Sequence, residues 1–472
     1  MTAAGHGRSD VPIARVLGVS TAAAVGGFLF GFDSSVVNGA VDAIKGEFKL
    51  SELVVGFAVA IALLGCALGA WFAGRLADRW GRTRVMLLGS VLFVASSIGA
   101  GLTQTVWDLM LWRVLGGLGI GIASVIAPAY IAEIAPARLR GALGSMQQLA
   151  ITLGIFAALL SDAVLADSAG SASNDLWLGL EAWRWMFLVG VVPAVVYGVL
   201  ALTIPESPRY LVGRGRDAEA GQILARVTGE PDPDGRVRQI RGTLKTEAAS
   251  SLRDITGPSF GLHPLLWVGI WLAVFQQFVG INAIFYYSTT LWQSVGFSES
   301  ASFTTSVITA VINVAMTFVA IGFVDRIGRR LLLLIGSVGM FIGLLLASIA
   351  FTQVYKAVED GETVSRLPTS WGVMALIGAN LFVIAFAASW GPVMWVMLGE
   401  MFPNRFRAVA LGLCTAVNWI SNFIISLLFP TAMDAVGPAF VYAFFALCAG
   451  ISFFYVRSKV PETKGMELEE MG

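Results

Sequence analysis

The chain has 472 residues, 56% of them hydrophobic and only 13% charged, against roughly 25% charged in a soluble domain. Its formal net charge is zero, so nothing points to nucleic acid. Cys66, Cys414 and Cys448 all fall in apolar runs and read as buried thiols, not a disulfide or metal set, while His6 and His263 lie outside those runs.

A membrane span needs about 20 mostly apolar residues. Twelve segments qualify: 14–42, 53–75, 84–103, 107–132, 142–164, 185–204, 264–293, 301–323, 331–352, 371–398, 406–430 and 438–457. A short polar tail leads straight into the first span, and no cleavable signal peptide is expected. That span carries the first anomaly, Asp33 within residues 26–40 (GGFLFGFDSSVVNGA). An acid at membrane depth is costly and marks an ion or substrate path. The only other formal charge clearly deep in a span, away from its ends, is Arg113, in the fourth. Buried charges pair, so Asp33 and Arg113 are expected to meet. Desolvation favours the neutral acid and a nearby Arg the ionised one, and a balance that changes with conformation is a physical basis for proton coupling. A static structural salt bridge is the alternative.

With both termini inside, the outer loops hold Lys45, Lys49, Arg184, Lys356 and Arg366, and 25 of the 31 Lys and Arg fall on the inner side. That asymmetry is a positive-inside signal and predicts a multi-pass protein with cytoplasmic termini. The polar, Arg-rich stretch 205–263 divides six spans from six. It is expected to form short amphipathic helices under the bundle, with its charges mainly a solvated face. The predicted organisation is an N-terminal half, 1–204, a cytoplasmic linker, 205–263, and a C-terminal half, 264–472.

The same short phrases recur in each half. Residues 78–82 (DRWGR) follow the second span and 325–329 (DRIGR) the eighth. Glu133 lies seven residues before Arg140, and Glu400 seven before Arg407. Residues 205–207 (PES) close one half and 461–463 (PET) the other. Internal duplication of this kind marks secondary transporter folds, with the substrate site near the midplane between the halves. Gly117-x-Gly119-x-Gly121 imitates a nucleotide-binding turn but lies within an apolar helix, where close helix packing is the reading.

Together these motifs, with 128–133 (PAYIAE), 205–209 (PESPR), 276–282 (QQFVGIN) and 461–465 (PETKG), resemble the sugar porter family of the major facilitator superfamily from about residue 20 to 465. The similarity is greatest to bacterial glucose permeases and xylose–proton symporters. It implies an all-α membrane protein with twelve transmembrane helices in two six-helix halves and a cytoplasmic helical linker. It places Arg82, Glu133 and Arg140 together on the inner surface of one half, and Arg329, Glu400 and Arg407 on that of the other, with Glu206, Arg209 and Glu462 extending the network. Guanidiniums sharing a carboxylate make multidentate clusters, which read as conformational latches. Basic loops that merely obey the positive-inside rule are the plainer account.

A sugar is neutral and covered in hydroxyls, and carboxamides both donate and accept. The resemblance implies a hydroxyl-binding set of Gln148, Gln276, Gln277, Asn282, Asn313 and Asn418, although amides also bridge membrane helices. Gly280 permits a break in the seventh span, and Gly391-Pro392 an irregular tenth. The family pattern puts Trp395 under the sugar with Trp419 nearby, and Phe30 lining the same cavity. Tyr286 and Tyr287 are expected at an outer gate. Passive facilitators of the family tend to have Asn at the position of Asp33, so the acid points to symport.

The expected function is import of a neutral monosaccharide, most simply glucose, with protons, by a monomer in the cell membrane. No cofactor, metal or nucleic-acid partner is expected. An uncoupled facilitator is the first alternative. A transporter-like sugar sensor, the second, should carry a long soluble tail, whereas the ends outside the spans are only about 13 and 15 residues. The spans contain no acid pair, metal cluster or nucleophile constellation, so an enzyme is not expected.

Overall fold

The structure, a computed structural model, describes residues 13–135, 140–247, 256–259, 261–359, 362–403 and 407–462. The first half consists of α1 (Ile13–Phe48), α2 (Glu52–Trp80), α3 (Arg82–Gly101), α4 (Val106–Ile134), α5 (Arg140–Ala169), and α6 (Ala182–Val189) running into α7 (Val191–Thr203). A small hairpin of β1 (Asp175–Trp177) and β2 (Leu180–Glu181) joins α5 to α6. The linker holds α8 (Pro208–Gly213), α9 (Asp217–Ile223), a π turn and α10 (Pro233–Glu247), then the short pair β3 (Thr256–Gly257) and β4 (Gly261–Leu262). Leu211, Val212, Ala220, Leu224 and Val237 give these helices an apolar cluster of their own.

The second half runs through α11 (Pro264–Phe278), α12 (Ile281–Ser294), α13 (Glu299–Ile327) and α14 (Arg329–Phe351). The hairpin β5 (Tyr355–Glu359)–β6 (Glu362–Arg366) follows, then α15 (Thr369–Ala387), α16 (Trp390–Met401) and α17 (Arg407–Lys459). Among the described residues, eleven helical stretches are long and apolar enough to cross a membrane. The last, α17, breaks at Gly437 (φ 79°, ψ 165°). Its 53 residues far exceed the roughly 20 that one crossing takes, so it supplies two and the total is twelve.

Local signals account for the ends and breaks. Thr105 caps α4 by accepting from the Asp108 N–H, and Ser298 caps α13 by accepting from Ala301 N–H. The seventh span breaks where expected: Gly280 sits at φ 87° between α11 and α12. The tenth breaks slightly earlier than expected, at Ala388-Ser389, and Gly391-Pro392 fall in the first turn of α16. Proline is tolerated there because a first-turn N–H has no intrahelical acceptor to lose. Gly117 and Gly121 bring α4 against α2: an added Cβ would stand 2.1 Å from the Ala62 carbonyl oxygen and 2.1 Å from that of Cys66. This Gly-x-Gly run is therefore a packing surface, and among the described residues no strand precedes it.

Candidate substrate and coupling site

α1 and α4 bring Asp33 and Arg113 together although 80 positions separate them. Arg113 Nη1 donates to Asp33 Oδ1 at 2.9 Å and, more weakly, to the Asp33 carbonyl at 3.4 Å. Both residues are buried, at 7% and 3% exposure. The pair is sparsely supported for its depth: Arg113 Nε has no acceptor among the described residues, and the guanidinium lies 5.9 Å from the centre of the Phe187 ring. A cleft beside the pair is lined by Phe30, Asp33, Cys66, Arg113 and Tyr286, among others.

The broken seventh span supplies the polar wall. Gln276 Nε2 donates to the carbonyls of Trp390 and Gly391, at 3.2 and 3.4 Å, which ties α11 to the break before α16. Gln277 Nε2 donates to Asn418 Oδ1 at 3.1 Å and to Gln276 Oε1 at 3.3 Å. Asn282 Nδ2 donates to Gln277 Oε1 at 2.7 Å, and Asn418 Nδ2 to Gln276 Oε1 at 2.8 Å. Four carboxamides from α11, α12 and α17 thus form one hydrogen-bonded chain. Phe30 meets Trp419 edge to face, with ring centres 5.3 Å apart, across the boundary between the halves.

Gln148, Asn313 and Trp395 are not joined to this chain. Gln148 is half-buried in α5, without a hydrogen-bond partner among the described residues. Asn313 is buried in α13. Trp395 on α16 is 37% exposed and makes no aromatic ring contact among the described residues. Tyr286 belongs to the cleft, and its hydroxyl accepts from Asn422 Nδ2 at 3.3 Å. Tyr287 sits at a non-helical kink (φ −132°, ψ 17°), donates its hydroxyl to the Ser426 carbonyl at 2.9 Å and stacks on Phe429.

The two ends of the bundle differ. At the end carrying the duplicated Asp-Arg-x-Gly-Arg turns, Arg82 grips Glu133 with Nε and Nη2, at 3.1 and 3.0 Å. Arg329 grips Glu400 the same way, at 3.1 and 2.9 Å. Glu206 accepts from the Arg82 N–H at 2.9 Å and the Thr83 hydroxyl at 3.0 Å, while Glu462 accepts from the N–H groups of Arg329 and Arg330 at 3.0 and 3.1 Å. Each carboxylate caps the start of a helix, where the backbone N–H groups are otherwise unmet. Gly81 (φ 96°) and Gly328 (φ 104°) make the approach possible, since a Cβ there would stand 2.2 Å from Glu206 Oε2 or 2.8 Å from Glu462 Oε2. These ion pairs lie within a half and do not tie one half to the other. The side chains of Arg140 and Arg407 lie outside the described residues, as do Thr463, Lys464 and Gly465.

At the opposite end the halves meet directly. Asn38 of α1 donates to Ser288 Oγ at 2.7 Å and accepts from the Thr289 N–H at 3.0 Å and the Thr289 hydroxyl at 2.7 Å. Asp42 accepts from Thr290 Oγ1 and Gln293 Nε2, at 3.0 and 3.2 Å, and Glu299 accepts from the Ala172 N–H. The kink at Tyr287 interrupts the helical ladder beside Thr289, and Asn38 binds there from the other half.

The model of the family described as "Sugar (and other) transporter" matches residues 19–472. This chain belongs to the sugar transporter family. It is 50% identical over 465 residues to the glucose transport protein of Synechocystis sp., covering 98% of both chains. It is 34% identical to the D-xylose-proton symporter of Escherichia coli, over 97% of this chain and 95% of that one. Among solved structures, an inward-open form of the E. coli xylose transporter superposes with a TM-score of 0.80 at 33% identity, covering 97% of this chain and 99% of that one. The protein is thus a multi-pass sugar transporter with the major facilitator fold.

For this sugar transporter the sequence reading missed the seal at one end. Asn38, Ser288 and Thr289, and behind them Asn422 and Ser426, all lie in otherwise apolar helices. The available signal was an Asn five positions beyond Asp33 and the triplet Ser288-Thr289-Thr290 just after the two tyrosines.

Proposed function

We propose that the protein imports a monosaccharide, glucose foremost, together with protons, by alternating access of one central site. The observation that carries the coupling is the buried Asp33–Arg113 pair, opening on the cleft that Phe30 and Tyr286 line. A carboxylate with a single side-chain bond to a guanidinium whose Nε is unmet is a pair that protonation can part. Proton uptake by Asp33 releases Arg113, the sugar favours closure around itself, and exposure to the other side lets the proton leave. Gln276, Gln277, Asn282 and Asn418 exchange their mutual hydrogen bonds for sugar hydroxyls, with Gln148 and Asn313 adding from α5 and α13. Trp395, partly exposed, packs its indole on the C–H side of the ring, and Trp419 and Phe30 close the wall. Glucose is supported by the 50% identical relative of that name, and the curated arabinose- and xylose-proton symporters keep pentoses as competitors.

In this reading the end with the Arg82–Glu133 and Arg329–Glu400 pairs is cytoplasmic, as are both termini, and the protein sits in the cell membrane. The Asn38 seal then faces outward, and the conformation is closed to the outside. Residues 1–204 and 264–472 are the moving halves, 205–263 the cytoplasmic linker, and Arg82, Glu133, Arg140 and Glu206, with Arg329, Glu400, Arg407 and Glu462, order each half's inner surface. Tyr286 and Tyr287 move with the outer gate and Gly391-Pro392 with the inner one. One chain holds both halves, so a monomer is the functional unit.

The test is Asp33→Asn in membrane vesicles. Uphill uptake driven by a pH gradient disappears while sugar exchange survives. A variant that still accumulates sugar with proton entry removes Asp33 from the mechanism, and a wild type that never accumulates sugar is a facilitator.

A further inference from the structure

Asp162 of α5 is wholly buried, and neither carboxyl oxygen has a hydrogen-bond partner among the described residues. It faces Gly39 of α1 and Met186 of α6: a Cβ added at Gly39 would stand 2.8 Å from both Asp162 Oδ2 and Met186 Sδ. The nearby backbone N–H is that of Gly39, which lies inside α1 and is committed to that helix's own i−4 bond.

Among the described residues no cation balances this acid. α5 packs against α1, α4, α6, α13 and β1, whose one charged residue, Asp175, is an exposed acid. On α1, Asp33 is bound to Arg113, Asp42 to Thr290 and Gln293, Lys45 to Glu52, and Glu47 to Arg184. On α6, Arg184 is held between Glu47 and Glu181. On α4, Arg113 is taken by Asp33, Asp108 accepts from Thr103, and Glu133 lies at the far end with Arg82. On α13, Glu299 accepts from Ala172, and Asp325 and Arg326 belong to the far end. An isolated carboxylate so enclosed takes up a proton instead of keeping its charge.

The position of Asp162 gives that proton a role. It packs on Gly39, the neighbour of Asn38, whose bonds to α12 seal this end of the bundle. We propose that Asp162 is a second proton-binding carboxyl, which holds a proton while the Asn38 end is sealed and releases it to water when that end opens and α1 shifts. Only the acid O–H bond breaks, and the proton leaves as hydronium. The sealed form then binds one proton more than the open form, so raising the pH favours the open form and slows every step that needs the seal.

This rests on alternating access but not on Asp33 as the coupling group, and the two are tested separately. Equilibrium exchange of labelled glucose is measured across a pH series in liposomes carrying Asp33→Asn, whose coupling position no longer titrates. Exchange is expected to fall at alkaline pH by up to about tenfold per pH unit, the limit for a single proton. In Asp33→Asn/Asp162→Asn it stays flat. Identical profiles overturn the proposal, whatever uphill uptake by Asp33→Asn alone has shown about coupling. Infrared spectra of the same two proteins give a direct reading: the protonated-carboxyl stretch of the single variant is weaker in the double variant, and equal intensity overturns the assignment. Should the amide variant fail to assemble, Asp162→Ser provides the same comparison.

Discussion

Asp33 and Arg113 are joined by one short side-chain bond at 2.9 Å, with no bidentate grip. The pairs Arg82–Glu133 and Arg329–Glu400 are bidentate and partly exposed. In the amide chain, Gln277 is the node, bonded to Gln276, Asn282 and Asn418. Replacing it with Ala is expected to weaken sugar binding by about 1–3 kcal/mol, roughly fivefold to 150-fold in KM or Kd. Asn313→Ala, outside the chain, should cost only a few-fold. Equal losses in binding assays would show that the chain does not concentrate the affinity. Charge in the middle of an apolar run is conspicuous, which is why Asp33 and Arg113 were legible in the sequence, whereas Asp162, two residues from the expected end of its span, was passed over. Asn38, Ser288 and Thr289 were not legible, because such side chains also bond within their own helix, and nothing local links residues 250 apart.

At the scale of elements, the repeated Asp-Arg-x-Gly-Arg turn is a way of letting a distant glutamate cap a helix. Gly81 and Gly328 are at positive φ with Glu206 and Glu462 pressed against them. Gly81→Ala or Gly328→Ala is expected to destabilise the protein by about 1–3 kcal/mol, read as a lower thermal midpoint in detergent. Gly74, with open space around it in α2, is the control that should not lose stability on the same change. The seal makes a second prediction. Asn38→Ala removes the bonds to Ser288 and Thr289 and should shift the population toward the form open at that end by about 1–3 kcal/mol. Cys66 lines the cleft beside Asp33 and is buried, so it serves as a probe once Cys414 and Cys448 are changed to Ser. A membrane-impermeant maleimide should label Cys66 faster in Asn38→Ala; an unchanged rate would mean that the seal does not control access. Helix number, order and the break at Gly280 could be read from hydropathy and glycine alone. The break in the tenth span was misplaced by about one turn because Pro392 sits comfortably inside a helix's first turn, while the helix is interrupted at Ser389 (φ −140°, ψ −85°).

The whole molecule is two six-helix halves that meet at the Asn38 end, while the Arg82–Glu133 and Arg329–Glu400 pairs at the other end each lie within one half. That asymmetry is what a transporter closed on one side should have, and the inward-open xylose transporter from E. coli shares the fold at a TM-score of 0.80. The doubling was legible because motifs recur in order. Which residues join the halves at the Asn38 end was not, since a sequence encodes both states of an alternating-access cycle. The most direct test of the account is to add glucose to liposomes containing the purified protein, without an imposed gradient, and follow the external pH. Proton-coupled entry predicts alkalinisation that begins with sugar addition and is lost in Asp33→Asn. Sugar entry with no change in pH would contradict it.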